Sequence, residues 1–409
     1  MRARDIILLF GLLFLAFAAV YMTSGPVAES DLVPGPATVR EEPPGGIHHE
    51  PGNAVSILFL GDFHPASLVK GASDPYQAFR PILGVSDLVI INLEAPTIDP
   101  GKWAAGTKTS RRFWSDVTAT PALLKGLGVT VVSLASDHML DFGTRGLEST
   151  IDALGKAGLE VIGAGHDKLA ASKPYRFEST VGGKPFKMAV IATADQWRGT
   201  RVFPLSEAQV RTFNTAAIVD QIHGLKQREP DLFVVVFIHW GWQYSWLVKR
   251  QRDEAHAMID AGADLIVGHG AHAPQQVEIY KDRLCLYGIG DFVSGTGKPD
   301  KHLGNDLPFG LLADLVLEPD GTGISRFVKL YPVRNYGLGS GEAPRFVTVK
   351  ELGNIYWKLV WRSWKIYRYL KNKFVVRTDR FGRYLEIPLT DKARGASNSA
   401  PRAKRKNVR

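Results

Sequence analysis

Residues 57–64 read Ile57-Leu58-Phe59-Leu60-Gly61-Asp62-Phe63-His64, four large apolar residues running into glycine, aspartate and histidine. A short unbroken apolar run bounded by glycine reads as a strand buried on both faces. A carboxylate and an imidazole just beyond such a strand lie where an open α/β sheet presents its ligand-binding groups. The same grammar recurs along the chain. Leu88-Val89-Ile90-Ile91 runs into Asn92-Leu93-Glu94, and Val131-Val132-Ser133-Leu134 into Ser136-Asp137-His138, with Asp141 three residues on. Val234-Val235-Val236-Phe237-Ile238 runs into His239-Trp240-Gly241, and Leu265-Ile266-Val267 into Gly268-His269-Gly270-Ala271-His272. A sixth run, Leu284–Ile289, ends in Gly290-Asp291-Phe292.

Between these strands lie stretches of helical periodicity, at Pro121–Gly126, Thr144–Ala157, Ser206–Gln227 and Arg252–Ala261. Helices alternate with strands early, and the later strands come in hairpin-like pairs. The expected fold is α/β, with sheets and helices packed outside them, in one domain over residues 54–335.

The residues that follow the strands are hard and borderline metal ligands without a thiol. Imidazole and carboxylate suit Mn, Zn or Fe, and two such ions about 3.5–4 Å apart are a common hydrolytic arrangement. Asp62 and His64, two residues apart, are read as facing one ion, as are His269 and His272 from one loop. Glu94 is placed to bridge two cations. Singly, each element has an ordinary structural reading: Asp62 as a turn cap, Asp141 as a helix cap, an isolated histidine as a hydrogen-bonded core residue. Together they matter more, because a structural core has no reason to gather so much unpaired charge in one region.

The chain has 409 residues and a formal net charge of +9. Residues 350–409 hold 17 Lys and Arg against 4 Asp and Glu, leaving 33 against 37 for the other 349 residues. The positive sign therefore belongs to the end of the chain, and the body is slightly acidic. That split, and the lack of an aromatic-basic stripe in the body, makes nucleic acid an unlikely partner. A single cysteine, Cys285, excludes an intrachain disulfide framework and a zinc site built on several thiolates.

At the start, Arg2 and Arg4 precede an apolar run over residues 6–22. This is expected to be a single-pass transmembrane signal-anchor that places the body outside the cytoplasm at the cell membrane; a signal peptide cleaved to give a secreted or periplasmic protein is the alternative. Residues 23–53, rich in Pro and Gly, read as a linker. Residues 336–409 read as a basic amphipathic helix followed by a disordered tail. Tyr356, Val360, Trp364, Tyr367, Leu370 and Phe374 recur at helical spacing among lysines and arginines, fitting either a membrane interface or docking onto the body.

Taken as a set, FLGDFH, INLEAP, LASDHMLDFG, VIGAG, HWGWQY, GHGAH and YGIGDF resemble the bacterial capsule-synthesis CapA family, within the calcineurin-like metallophosphoesterase superfamily. The likeness spans about Ser56 to Val293. It implies a metallophosphoesterase-like β-sandwich flanked by helices and a role in capsule biosynthesis of the poly-γ-glutamate type. It also implies two divalent metal ions. Asp62, His64 and His272 would hold the first, Asp137, His239 and His269 the second, and Glu94 would bridge them. His138 would protonate a leaving oxygen, oriented by Asp141. Lys108, Arg111, Arg112 and Trp242 are candidate contacts for an anionic substrate or polymer, and other capsule-synthesis membrane proteins are candidate partners. The chain departs from the family pattern at Asp137, Gln243, Gly270 and Asp291, where the family usually has Asn, Glu, His and Asn.

Overall fold

The computed structural model describes residues 54–64, 74, 76–99, 101, 114–195, 208–293, 309–321, 323–334, 345–347 and 375–389. The expected apolar segment 6–22, the linker, Lys108, Arg111, Arg112, the aromatic-basic stretch 356–374 and the tail beyond 389 all lie outside the described residues. Among the described residues, no helix is long and apolar enough to cross a membrane.

The fold is mixed α/β, built on a ten-stranded and a six-stranded sheet. In the larger, the strand Val55–Phe63 lies centrally, with Leu88–Leu93, Val131–Ser133 and Glu160–Ile162 following in parallel on one side. On its other side, Gly310–Asp320 and Gly323–Arg334 continue antiparallel. In the smaller sheet, Phe233–His239 runs parallel to both Leu265–His269 and Lys184–Ala194, and Leu265–His269 runs parallel to Arg283–Leu286. The two sheets share one hydrophobic core, in which Phe59 meets Phe237 with ring centroids 5.9 Å apart. The other face of the smaller sheet (Val234, Val236, Ile238, Ile266) packs against two helices, Thr215–Arg228 and Lys249–Asp260. Ile218, Ile222 and Leu225 recur at helical spacing to make that contact, and the Asn214 side chain caps the first helix by accepting from Ala217 N–H.

The expected strands form with small shifts of boundary, because each is a local apolar run that two covered faces require. Two features depart from the expectation. The helix expected from Ser206 begins, among the described residues, at Thr215, and Gln209–Val210 forms a short strand before it. The sheet also extends past residue 335. Val375–Thr378 and Arg383–Leu389 form a hairpin whose second strand pairs antiparallel with Gly323–Arg334, so this part of the basic end belongs to the body. Val376, Tyr384, Leu385 and Ile387 are buried there, a strand-like signal masked in the sequence by the surrounding charge.

Candidate metal centre

All the parallel strands that carry the marked residues end at the same pole of the two sheets. In the larger sheet the first strand continues through Gly61 and Asp62 to Phe63, and Asp291–Val293 pairs parallel with it, setting Asp291 opposite Asp62. Only glycine fits at 61: a Cβ there would stand 1.7 Å from the Gly290 carbonyl oxygen. In the smaller sheet, His239 and His269 end neighbouring parallel strands and stand in register. Packing the two sheets face to face therefore brings strand ends far apart in sequence into one buried cluster.

Asp62, fully buried, is at its centre. Its Oδ1 lies 2.8 Å from His269 Nδ1 and 3.3 Å from His239 Nδ1, and it accepts from Asn92 Nδ2 at 2.8 Å. Its Oδ2 accepts the Gly270 backbone N–H at 2.7 Å. Gly270 has φ +95°, in the left-handed region open to glycine, so the turn that aims this N–H at Asp62 comes at little conformational cost. Glu94 lies between imidazoles from both sheets. Its Oε2 is 2.7 Å from His64 Nε2, while its Oε1 is 3.5 Å from His272 Nε2 and 4.0 Å from His239 Nε2. Asp137, with about a third of its side chain exposed, reaches His239 Nε2 at 3.2 Å. His138 sits beside it, with Nδ1 3.0 Å from Asp141 Oδ2.

Three groups of potential ligand atoms result: His64, Glu94, His272 and Asp291; Asp62, His239 and His269; and Glu94, Asp137 and His239. Every residue expected as a ligand lies in one of them, and Asp62 Oδ2 also stands 3.8 Å from His272 Nδ1, its expected companion. Asp62 joins His239 and His269, whereas His64 joins Glu94 and His272. The reason is tertiary. Pairing is irregular at Asp62 on both flanks of its strand, so residues 62 and 64 do not project as a regular strand would set them. Asp291 belongs to the cluster too, with its Oδ1 2.8 Å from His272 Nδ1. The sequence places it after a sixth apolar run and as a departure from the family pattern, but does not mark it as a ligand.

Burial and charge oppose each other throughout the site. Burial alone would raise Asp62, but His269 and His239 hold it well below the usual carboxylate range. Glu94 is likewise lowered against its burial, by His272 and His64. Burial would lower His272, yet Glu94 and Asp291 push it up to about 10. His239 is raised well above its ordinary value by Asp62 and Asp137, again against burial. His138 is raised too, since the bond from Asp141 and the charge of Asp137 outweigh its burial. Asp62 and Glu94 thus stay charged and are balanced by His239 and His272, whereas burial raises the Asp291 carboxyl and lowers His269 toward its neutral form.

The donor set fits a divalent cation. It is all nitrogen and oxygen, as Mn, Zn and Fe prefer. His269 carries the clearest mark: its Nδ1 is held by Asp62, while its Nε2 is buried with no hydrogen-bond partner among the described residues. A buried polar atom left in this way is costly unless something binds it.

The aromatic run after His239 divides. Trp240 is core, donating its indole N–H to the Tyr287 carbonyl at 2.8 Å. Trp242 is 42% exposed. Tyr244 lies tilted beside His272, with ring centroids 5.9 Å apart, and Gln243 Nε2 is 3.4 Å from His272 Nε2.

The family model described as "Bacterial capsule synthesis protein PGA_cap" matches residues 56–296, more than half of the chain and all of the cluster. Over 268 residues the chain is 29% identical to the capsule biosynthesis protein CapA of Bacillus anthracis, covering 63% of this chain and 64% of that protein. It is 28% identical over 252 residues to the PGA biosynthesis protein CapA of Bacillus subtilis, covering 60% and 64%. The matches thus span less than two thirds of these relatives' length. Among solved structures, the calcineurin-like phosphoesterase YfkN from Bacillus subtilis aligns at 13% identity with a TM-score of 0.42, covering 77% of this chain and 99% of that one, a likeness too loose to argue from.

Proposed function

The chain belongs to the bacterial capsule synthesis family PGA_cap, and from that premise we propose that it is a membrane-anchored extracytoplasmic protein of capsule biosynthesis, acting on a polyanion of the poly-γ-glutamate type through a two-cation hydrolase centre. The observation that carries the reading is the buried carboxylate–imidazole cluster at the shared pole of the two sheets. His64, Glu94, His272 and Asp291 would hold one cation, and Asp62, His239, His269 and Asp137 the other, with Glu94 between them. Bound divalent cations supply an activated water and neutralise charge growing on a phosphoryl or carbonyl oxygen.

The chain's own residues provide the rest. Asp141 accepts from His138 Nδ1, which turns the other ring nitrogen toward a leaving oxygen, and the raised titration of His138 keeps a proton on it to donate. Asn92 and the Gly270 N–H fix both Asp62 oxygens, limiting its freedom to reorient. Trp242 forms an exposed aromatic flank, and Lys108, Arg111 and Arg112 are proposed contacts for the anionic chain.

The test is a purified full-length preparation, assayed for bound metal and for cleavage of bis(p-nitrophenyl) phosphate and of poly-γ-glutamate. About two equivalents of transition metal and measurable cleavage support the reading. A protein that binds metal, cleaves neither substrate, and restores a capsule-deficient strain equally well as wild type and as His138→Ala is instead a non-catalytic component of a synthesis or export complex. A protein that binds no metal overturns the centre itself.

A further inference from the structure

The loop that leaves His239 folds back onto the candidate centre. The Trp242 carbonyl accepts the Ser245 backbone N–H at 3.1 Å and the Ser245 hydroxyl at 2.8 Å, closing a turn with Gln243 and Tyr244 at its middle. Tyr244 has φ +51°, a left-handed backbone that a bulky residue rarely adopts. Such a conformation persists where its surroundings over-determine it. The Tyr244 N–H donates to the Ala271 carbonyl at 2.7 Å, tying the turn to the segment that carries His269 and His272. The buried Gln275 side chain donates to the Ser245 carbonyl at 3.1 Å and accepts from the buried Gln251 side chain at 3.0 Å. Gln276 Oε1 accepts the Leu247 N–H at 2.9 Å. The loop is therefore held in place by the residues beneath it.

This turn sets one polar side chain at the boundary between the buried cluster and solvent. Gln243 is exposed, yet its Nε2 lies 3.4 Å from His272 Nε2. Asp291 holds His272 Nδ1, so Nε2 is the ring atom that faces Glu94 and the cluster. Four carboxylates, Asp62, Glu94, Asp137 and Asp291, already supply the negative charge there. An amide at 243 adds N–H donors without adding a fifth charge. From this we propose that Gln243 is a specificity-determining residue, donating its amide N–H to an oxyanion of the substrate, a carboxylate or a phosphate, that enters beside His272. The inference rests on the two-cation reading above and names the contact that receives the anion at that site. A carboxylate in the same place would repel the anion while attracting the cations.

The experiment measures two affinities in the full-length chain. Metal is measured by elemental analysis after dialysis, and inorganic phosphate and glutarate by calorimetric titration of the metal-loaded protein. Neither anion can be cleaved, so binding is read apart from turnover. Gln243→Ala should weaken anion binding about 10-fold at unchanged metal content. Gln243→Glu should weaken it more than about 30-fold while metal is held as tightly as in the wild type or more tightly. These opposite signs separate a substrate contact from a structural role, which would lower both affinities together. An effect confined to phosphate assigns the contact to a phosphoryl group, and one confined to glutarate assigns it to a carboxylate. No anion binding by the metal-loaded wild type, equal anion affinity in all three proteins, or a parallel loss of metal and anion in Gln243→Glu overturns the role of Gln243. A wild type that holds no metal sinks the two-cation reading instead.

Discussion

The larger sheet contains two buried polar clusters, and they are balanced in opposite ways. In its antiparallel half, Asp314 faces Lys329 across neighbouring strands and accepts from Ser56 Oγ at 2.7 Å. Lys329 Nζ lies 3.3 Å from Asp379 Oδ2, which also accepts from Tyr331 at 2.6 Å. Here the chain provides its own cation. The cluster ties the turn of the final hairpin to mid-sheet, and its work is structural. At the end of the parallel half, Asp62, Glu94 and Asp137 are paired with imidazoles, and no lysine or arginine is paired with them among the described residues. Histidine can give up its proton and become a neutral ligand, whereas lysine in that position would occupy the site permanently. A buried charge cluster built on imidazole is thus open to a cation, and one built on lysine is closed.

The difference can be broken most severely at Asp62. Asp62→Ala should lower metal affinity by more than about 100-fold and abolish cleavage, since a central ligand is removed and the Nδ1 atoms of His269 and His239 lose the carboxylate they face; elemental analysis after dialysis checks this, and full metal occupancy in the variant would refute it. His138→Ala should cut turnover by about 10²–10⁴-fold while metal content stays at the wild-type level. In the wild type, turnover should also fall as pH rises through the raised His138 value, because the donor is the protonated form, and steady-state pH profiles of the two proteins separate that limb.

The lysine-balanced cluster predicts a pH effect on stability and not on metal. Burial raises the Asp314 carboxyl to about 6, against Ser56 and Lys329 which lower it. A carboxyl whose folded value exceeds its unfolded one contributes fully at low pH, and that contribution is lost as pH rises from about 4 to about 6. Asp314→Asn should remove this loss, leaving a variant more stable than wild type by about 2–3 kcal/mol at pH 7 relative to the difference at pH 3. Chemical denaturation at the two pH values measures it. Smallest is the effect of Asp291→Asn, which retains an acceptor for His272 Nδ1 but removes a charge. It should weaken one metal equivalent by about 10- to 100-fold and leave the other nearly unchanged. Calorimetric titration resolves the two, and two unchanged equivalents would exclude Asp291 from the centre.

Much of this was legible in the residues themselves. Strand positions follow from local apolar runs such as Leu88–Ile91 and Val234–Ile238, whose burial on both faces is a property of composition. The ligands follow because each directly succeeds one of those runs, so finding the strand finds the residue. The final hairpin was not legible, since the short apolar pieces of Val375–Thr378 and Arg383–Leu389 are interrupted by Arg377, Arg380, Arg383 and Glu386, and lysine and arginine dominate the surrounding sequence.

The sequence by itself determined that the chain is α/β, that its charge sits at its end, and that carboxylates and imidazoles terminate its parallel strands. Each of these is encoded in neighbours along the chain. Only the tertiary structure decided which ligands share a group and that Asp291 joins them. Those facts depend on strand register and on which sheet each strand enters. Both are fixed by pairing between residues as far apart as Asp62 and His269, a non-local choice that no local run of residues specifies.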